Sequence, residues 1–186
     1  KCCRALVLLP TRELAIQVSD CFEKYAKFTA IKTACIFGGV SDKQKKRAVL
    51  HGVDVLVATP GRLLDLIAQK SVSLKQIEFF VLDEADRMLD MGFYDDIMQI
   101  VKYLPKERQT IMFSATMPAK IQQLAQSILN NPVEVKLAVS KPAEKIIQTA
   151  YICYENQKLG IIKSLFQDQT PERVIVFASS KLKVKE

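Results

Sequence analysis

The chain has 186 residues, 49% of them hydrophobic and 25% charged, with only 6 glycines and 7 prolines. That balance supplies enough apolar surface to offset chain entropy, and it excludes wholesale disorder, collagen-like repeats and low-complexity character. The net charge of +7 is spread along the chain, +4 over residues 1–140 and +3 over 141–186, which permits a polyanionic partner without demanding one.

In chain order, short apolar runs bounded by turn residues predict buried strands at Ala5–Leu9, Ala34–Phe37, Val53–Ala58, Phe79–Leu82, Ile111–Phe113, Val133–Val135 and Val174–Phe177. Between them run helical stripes. Leu14, Val18, Phe22 and Tyr25 form one, Phe93, Ile97, Ile100, Val101 and Leu104 another, and Ile121, Leu124, Ala125, Ile128 and Leu129 a third. Lys43-Gln44-Lys45-Lys46-Arg47, the densest basic stretch, reads as a solvated helix face. Strands alternating with helices predict βαβ units: an α/β fold whose mostly parallel sheet carries helices on both faces. The polar, proline-containing segment 138–145 breaks this pattern. Beyond it, Ile146–Tyr154 and Arg173–Ala178 are expected as strands and Gln157–Phe166 as a helix. About 40 residues are too few to bury an independent core.

Several classes are excluded early. No apolar run approaches the roughly 20 residues that span a bilayer. Lys1–Arg4 leads into an apolar segment ending at Pro10-Thr11-Arg12, which is not a signal-peptide pattern, so a soluble, cytoplasmic protein is expected. The five cysteines are odd in number and never spaced as CxxC, and small buried hydrophobes are the simpler reading. His51 is the only histidine, which removes every Ser-His-Asp, Cys-His or multi-histidine metal site that one chain could build.

In an open parallel sheet, ligands bind beyond the carboxyl ends of the strands. Those ends carry Pro10-Thr11-Arg12-Glu13-Leu14, Gly38-Gly39, Thr59-Pro60-Gly61-Arg62, Asp83-Glu84-Ala85-Asp86 and Ser114-Ala115-Thr116. Thr11 and Thr59 are suited to cap the helices after them, with Pro60 in a first helical position. Helix N-termini seat phosphate oxygens, Gly38 and Gly39 let a ligand approach the main chain, and Arg12 and Arg62 offer guanidinium forks. Each junction alone could be an ordinary turn; three on one edge point to a row of phosphates, as in a nucleic-acid backbone. Asp83 and Glu84 come directly after a fully apolar strand, an arrangement suited to managing a nucleotide-bound Mg²⁺ and orienting or deprotonating a water. The hydroxyls of Ser114 and Thr116 are placed to hydrogen-bond Asp86.

These five segments, in this order and spacing, resemble the DEAD-box ATP-dependent RNA helicases. The segment 87–93 is most similar to bacterial members, and Val174–Ser180 resembles the first motif of the second RecA-like domain. The resemblance implies a RecA-like parallel sheet over residues 1–138, a linker at 139–145, and the start of a second RecA-like domain at 146–186. It implies ATP and Mg²⁺ as cofactors, with Asp83 holding the metal through water and Glu84 as catalytic base. Asp86, Ser114 and Thr116 would couple nucleotide state to strand separation. Thr11, Arg12, Gly38, Gly39, Thr59, Gly61 and Arg62 would grip one RNA strand by its backbone, with little sequence preference.

The chain departs from the family pattern in the phosphate-cradling loop, the adenine-reading segment before it and the later motifs of the second domain, none of which is found in it. None of its glycines precedes a lysine, so it has no phosphate-cradling GxxxxGK[ST] loop. It is therefore expected to be an internal fragment, inactive towards ATP by itself. Two other readings compete: a non-catalytic RNA-binding remnant that kept the gripping motifs, and a related DNA translocase or restriction subunit.

Overall fold

A computed structural model describes residues 3–38, 52–137, 146–167 and 171–185. The chain divides into two compact units, Lys1–Glu134 and Val135–Glu186.

The first unit is a five-stranded, wholly parallel sheet. The strands are β1 (Ala5–Leu8), β2 (Thr33–Ile36), β3 (Val55–Ala58), β4 (Phe79–Leu82) and β5 (Gln109–Met112), in the spatial order β2-β3-β1-β4-β5. Pairing is in register across the centre, with Leu6 between Leu56 and Phe80 and Leu8 between Ala58 and Leu82. The helices are α1 (Arg12–Ala26), α2 (Pro60–Ala68), α3 (Ala85–Asp90), α4 (Tyr94–Val101) and α5 (Ala119–Ile128).

Strand periodicity sends alternate residues to opposite faces, and the two apolar clusters obey that alternation. On one face Leu6, Leu8, Ile36, Leu56, Phe80 and Leu82 pack with Leu63 and Leu66 of α2, Met88 of α3, Ile97 and Ile100 of α4, and Ile121 and Leu124 of α5. On the other face Val7, Leu9, Cys35, Phe37, Val55 and Val57 meet Ala15 and the apolar stripe of α1. Towards β4 and β5 this second face is thinner among the described residues: Val81 and Ile111 are half-buried, and Phe79 and Phe113 are exposed.

The strands predicted at the five sheet positions are present, shifted at their ends by at most two residues. Three others are not. Val133–Val135 has no regular structure, and Val133 and Val135 are exposed. In the second unit, Ile146–Tyr154 and Arg173–Ala178 also carry no strand, with Ile152, Ile175 and Phe177 open to solvent. A parallel strand is stable only when paired and covered on both faces, and among the described residues these runs have no strand partner to supply either. The second unit instead holds a single turn of 3₁₀ helix (Glu155–Gln157), α6 (Lys158–Leu165) where a helix is expected, and α7 (Lys181–Lys185). Segment 43–47 and the predicted linker 139–145 lie outside the described residues. Among the described residues, no helix is long and apolar enough to cross a membrane.

Candidate functional site

Because all five strands run the same way, every turn leaving a strand emerges on one rim. Thr11, Gly38, Thr59, Asp83 and Ser114 stand there.

Thr11 is the N-cap of α1: its backbone is extended (φ −128°, ψ 157°) and its hydroxyl accepts from the Leu14 N–H at 3.4 Å. Arg12 opens the same helix, and its guanidinium lies 4.9 Å from the centre of the buried Phe37 ring. That stacking holds a flexible cation at the rim while leaving its N–H groups available. Among the described residues, a Cβ added to Gly38 would meet nothing within 4 Å. Gly39 lies outside the described residues.

Thr59 occupies the N-cap position of α2 with Pro60 next, as predicted, but its side chain makes no capping hydrogen bond. The cap expected of Thr59 is thus absent. Proline at the first position has no N–H to satisfy, which lowers the demand for a cap and leaves the hydroxyl uncommitted. A Cβ on Gly61 would lie 3.9 Å from Asp96 Oδ2, an ordinary contact. Arg62, mostly buried, reaches Asp65 at 3.3 Å from the next turn of its own helix.

Among the described residues, the acidic turn is the most densely hydrogen-bonded part of the rim. The Asp83 N–H donates to the Leu8 carbonyl at 3.1 Å, and Asp83 Oδ1 accepts the Glu84 N–H at 2.9 Å. Glu84 adopts a left-handed backbone (φ 51°, ψ 51°), rare for a residue with a Cβ. Its Oε2 accepts from Arg87 Nη1 at 3.1 Å. Two residues on, Asp86 is stitched to the end of β5. Its Oδ2 accepts both the Thr116 N–H (2.9 Å) and the Thr116 hydroxyl (2.8 Å). The Asp86 N–H donates to Ser114 Oγ at 3.2 Å, and that hydroxyl donates to the Thr116 carbonyl at 2.7 Å. The Ala85 N–H adds a bond to the Phe113 carbonyl at 3.0 Å. Partial burial pushes the Asp86 carboxyl up, but the bonds from Thr116 and from the Arg87 N–H outweigh it and hold the group below the usual carboxylate range.

Among the described residues no group of three or more His, Cys, Asp or Glu could enclose a metal ion. One carboxylate with a free oxygen, beside a second acid, does suit Mg²⁺. That ion keeps several waters and takes its other ligands from nucleotide phosphates.

Against known proteins, the sequence model described as DEAD/DEAH box helicase matches residues 1–124. The chain belongs to this family. Among DEAD-box relatives, it is 43% identical over 183 residues to the ATP-dependent RNA helicase RhpA of Helicobacter pylori, covering 98% of this chain and 37% of that protein. It is 41% identical to the ATP-dependent RNA helicase DBP2 of Candida glabrata, covering 95% and 33% respectively. The chain thus spans about a third of the length of the curated relatives it matches. Two solved structures share the fold at 37% identity. A hypothetical ATP-dependent RNA helicase from Sulfolobus tokodaii gives a TM-score of 0.66, covering 69% of this chain and 39% of the other. S. cerevisiae dbp5 L327V bound to nup159, gle1 H337R, IP6 and ADP gives 0.63, covering 70% and 34%. The parallel sheet with flanking helices is accordingly a RecA-like, DEAD-box domain fold.

Sequence reasoning misses two contributors to the DEAD-box rim. Phe37 reads as an ordinary strand residue, and its partner Arg12 belongs to a helix distant in sequence. Arg87 is legible in principle: a helix starting at Ala85 puts it three residues beyond Glu84, within ion-pair reach.

Proposed function

We propose that this chain is the nucleotide-hydrolysing and RNA-gripping part of an ATP-dependent RNA helicase. In this reading residues 1–138 form most of the first RecA-like domain, 139–145 the linker and 146–186 the start of the second. The supporting observation is that the five motif-bearing turns share one rim, with the acidic turn tied to the end of β5 through Asp86.

Asp83 would hold Mg²⁺ through water with its unengaged oxygen. The ion, when bound, offsets phosphate charge at the bond to be broken. Glu84 takes the proton of the attacking water: with Oε2 on Arg87, Oε1 is left to accept it. Asp86, Ser114 and Thr116 join the turns after β4 and β5, so a nucleotide-dependent shift of one turn moves the other. Thr11, Arg12, Gly38, Gly39, Thr59, Gly61 and Arg62 hold the sugar-phosphate backbone of one RNA strand. Such contacts fix position without reading bases. A cytoplasmic setting fits five cysteines that are odd in number and never spaced as CxxC.

RNA-stimulated phosphate release and duplex separation by the full-length protein carrying this sequence test the reading. Arg62→Glu is expected to weaken RNA stimulation, and RNA duplexes are expected to be opened in preference to DNA. Unwinding without nucleotide dependence, or a preference for DNA, would overturn it.

A further inference from the structure

The rim opposite the catalytic turns, where the strands begin, holds a cavity of about 880 Å³. Its walls come from segments that lead into four strands: Cys3 before β1, Val53 before β3, residues 70–76 before β4 and 102–105 before β5. The floor is aliphatic, with Val53, Leu74 and Leu104 buried and Ile67 and Val72 half-buried. The mouth is cationic. Lys70, Lys75 and Lys102 line it and are exposed, and none of them forms an ion pair among the described residues. The acid that leads into β4, Glu78, is already engaged by both Nε and Nη2 of Arg4 (2.9 and 2.7 Å).

A second observation concerns Lys70. It sits just past the last turn of α2 with φ 53°, and the next N–H, of Ser71, returns to the Leu66 carbonyl at 2.9 Å. This is the helix-ending position that glycine fills without strain. A lysine there carries backbone strain, and the side chain it retains lines the cavity.

A concave aliphatic floor is satisfied by bulky apolar side chains, and three unpaired ammonium groups around it by carboxylates. A nucleic-acid strand would answer the lysines but set sugar and phosphate against Val53, Leu74 and Leu104. We propose that this cavity is a docking site for an acidic peptide segment of a partner protein, anchored by one or two large apolar side chains. The site is independent of the nucleotide chemistry on the other rim.

Fluorescence anisotropy with a labelled peptide of Asp and Glu interrupted by a Leu-Phe pair tests the proposal. The chain is expected to bind it saturably, more weakly as salt rises. Combined Lys70→Glu, Lys75→Glu and Lys102→Glu is expected to weaken binding by about tenfold or more. These side chains are exposed, so an unchanged melting curve is expected. Should the melt fall, the three single Lys→Gln variants decide, each expected to cost about twofold to threefold in affinity. Three results would overturn the proposal: no saturable binding; equal binding of a peptide with Leu-Phe replaced by Ser-Ser; or oligouridine binding that the lysine variants abolish while peptide binding is untouched.

Discussion

Glu84 and Asp86 lie two residues apart at the end of β4, yet their surroundings are opposed. Asp86 is saturated: three donors reach its carboxylate, its own N–H is taken, and the whole arrangement closes onto β5. Glu84 is strained in its backbone and over a third exposed in its side chain, whose carboxylate pairs, among the described residues, with Arg87, itself exposed. In the proposed reading the difference separates two jobs. A joint that transmits movement between turns must be over-determined, whereas a group that accepts a proton must keep an oxygen free and a position fixed. Left-handed backbone at Glu84 supplies that position at a cost in strain, which the bonded neighbours on either side can sustain.

The largest effect is expected from removing the carboxylate proposed as base. In the full-length protein carrying this sequence, Glu84→Gln is expected to leave ATP binding intact and reduce turnover by about 10²–10⁴-fold, the usual contribution of a positioned base. Phosphate release and nucleotide titration measure the two separately; unchanged turnover would assign the proton to another acceptor. The 186-residue chain alone, lacking GxxxxGK[ST], is expected to show no measurable phosphate release. RNA-stimulated release from it would break the link between that loop and the chemistry.

The joint should respond differently. Thr116→Val removes the hydroxyl from Asp86 while keeping shape, and is expected to destabilise the fold by about 1–2 kcal/mol in urea denaturation. Strand separation should fall more than ATP turnover. Its pH dependence sharpens the contrast. The Asp86 carboxyl lies below its ordinary value when folded, so its stabilising contribution is fully present above about pH 4. It is lost as pH falls through the depressed folded value. Thr116→Val removes one of the bonds that hold the value down and should shift that loss to higher pH. An identical acid-unfolding curve for the variant would show that the bond carries no linkage.

The sheet and the rim were legible in the sequence for a simple reason. Runs such as Leu6–Leu8 and Leu56–Ala58 are apolar on both faces, which only a buried parallel strand requires, and parallel order then puts every succeeding turn on one rim. The same reasoning fails for the residues after Glu134. Val174–Phe177 has the composition of a strand, but pairing is a property of neighbours, and none pairs with it among the described residues of the second unit. At the site, the partners of Asp86 were predictable because Ser114 and Thr116 end the adjacent strand. The strain at Glu84 was not, because nothing in the residues Asp83-Glu84-Ala85 demands a left-handed turn. It arises where Asp83 is bound to Leu8, Ala85 to Phe113, and the residue between must span them.

That origin of the strain at Glu84 carries the smallest effect and the most direct test. Glu84→Ala and Glu84→Gly both delete the carboxylate and the exposed pair with Arg87, a pair worth no more than about 1 kcal/mol. They differ in the Cβ. Alanine keeps the clash that makes left-handed backbone unfavourable by roughly 1–2 kcal/mol, while glycine escapes it and loses about 0.5–1 kcal/mol through greater freedom in the unfolded chain. Glu84→Gly should therefore be more stable than Glu84→Ala by about 0.5–1 kcal/mol, although in the proposed reading neither is expected to support ATP hydrolysis. At an ordinary helical position the order would reverse. Urea midpoints for the pair decide: alanine equal to or above glycine would mean that the turn is unstrained, and that Glu84 is held in place by its neighbours at no cost.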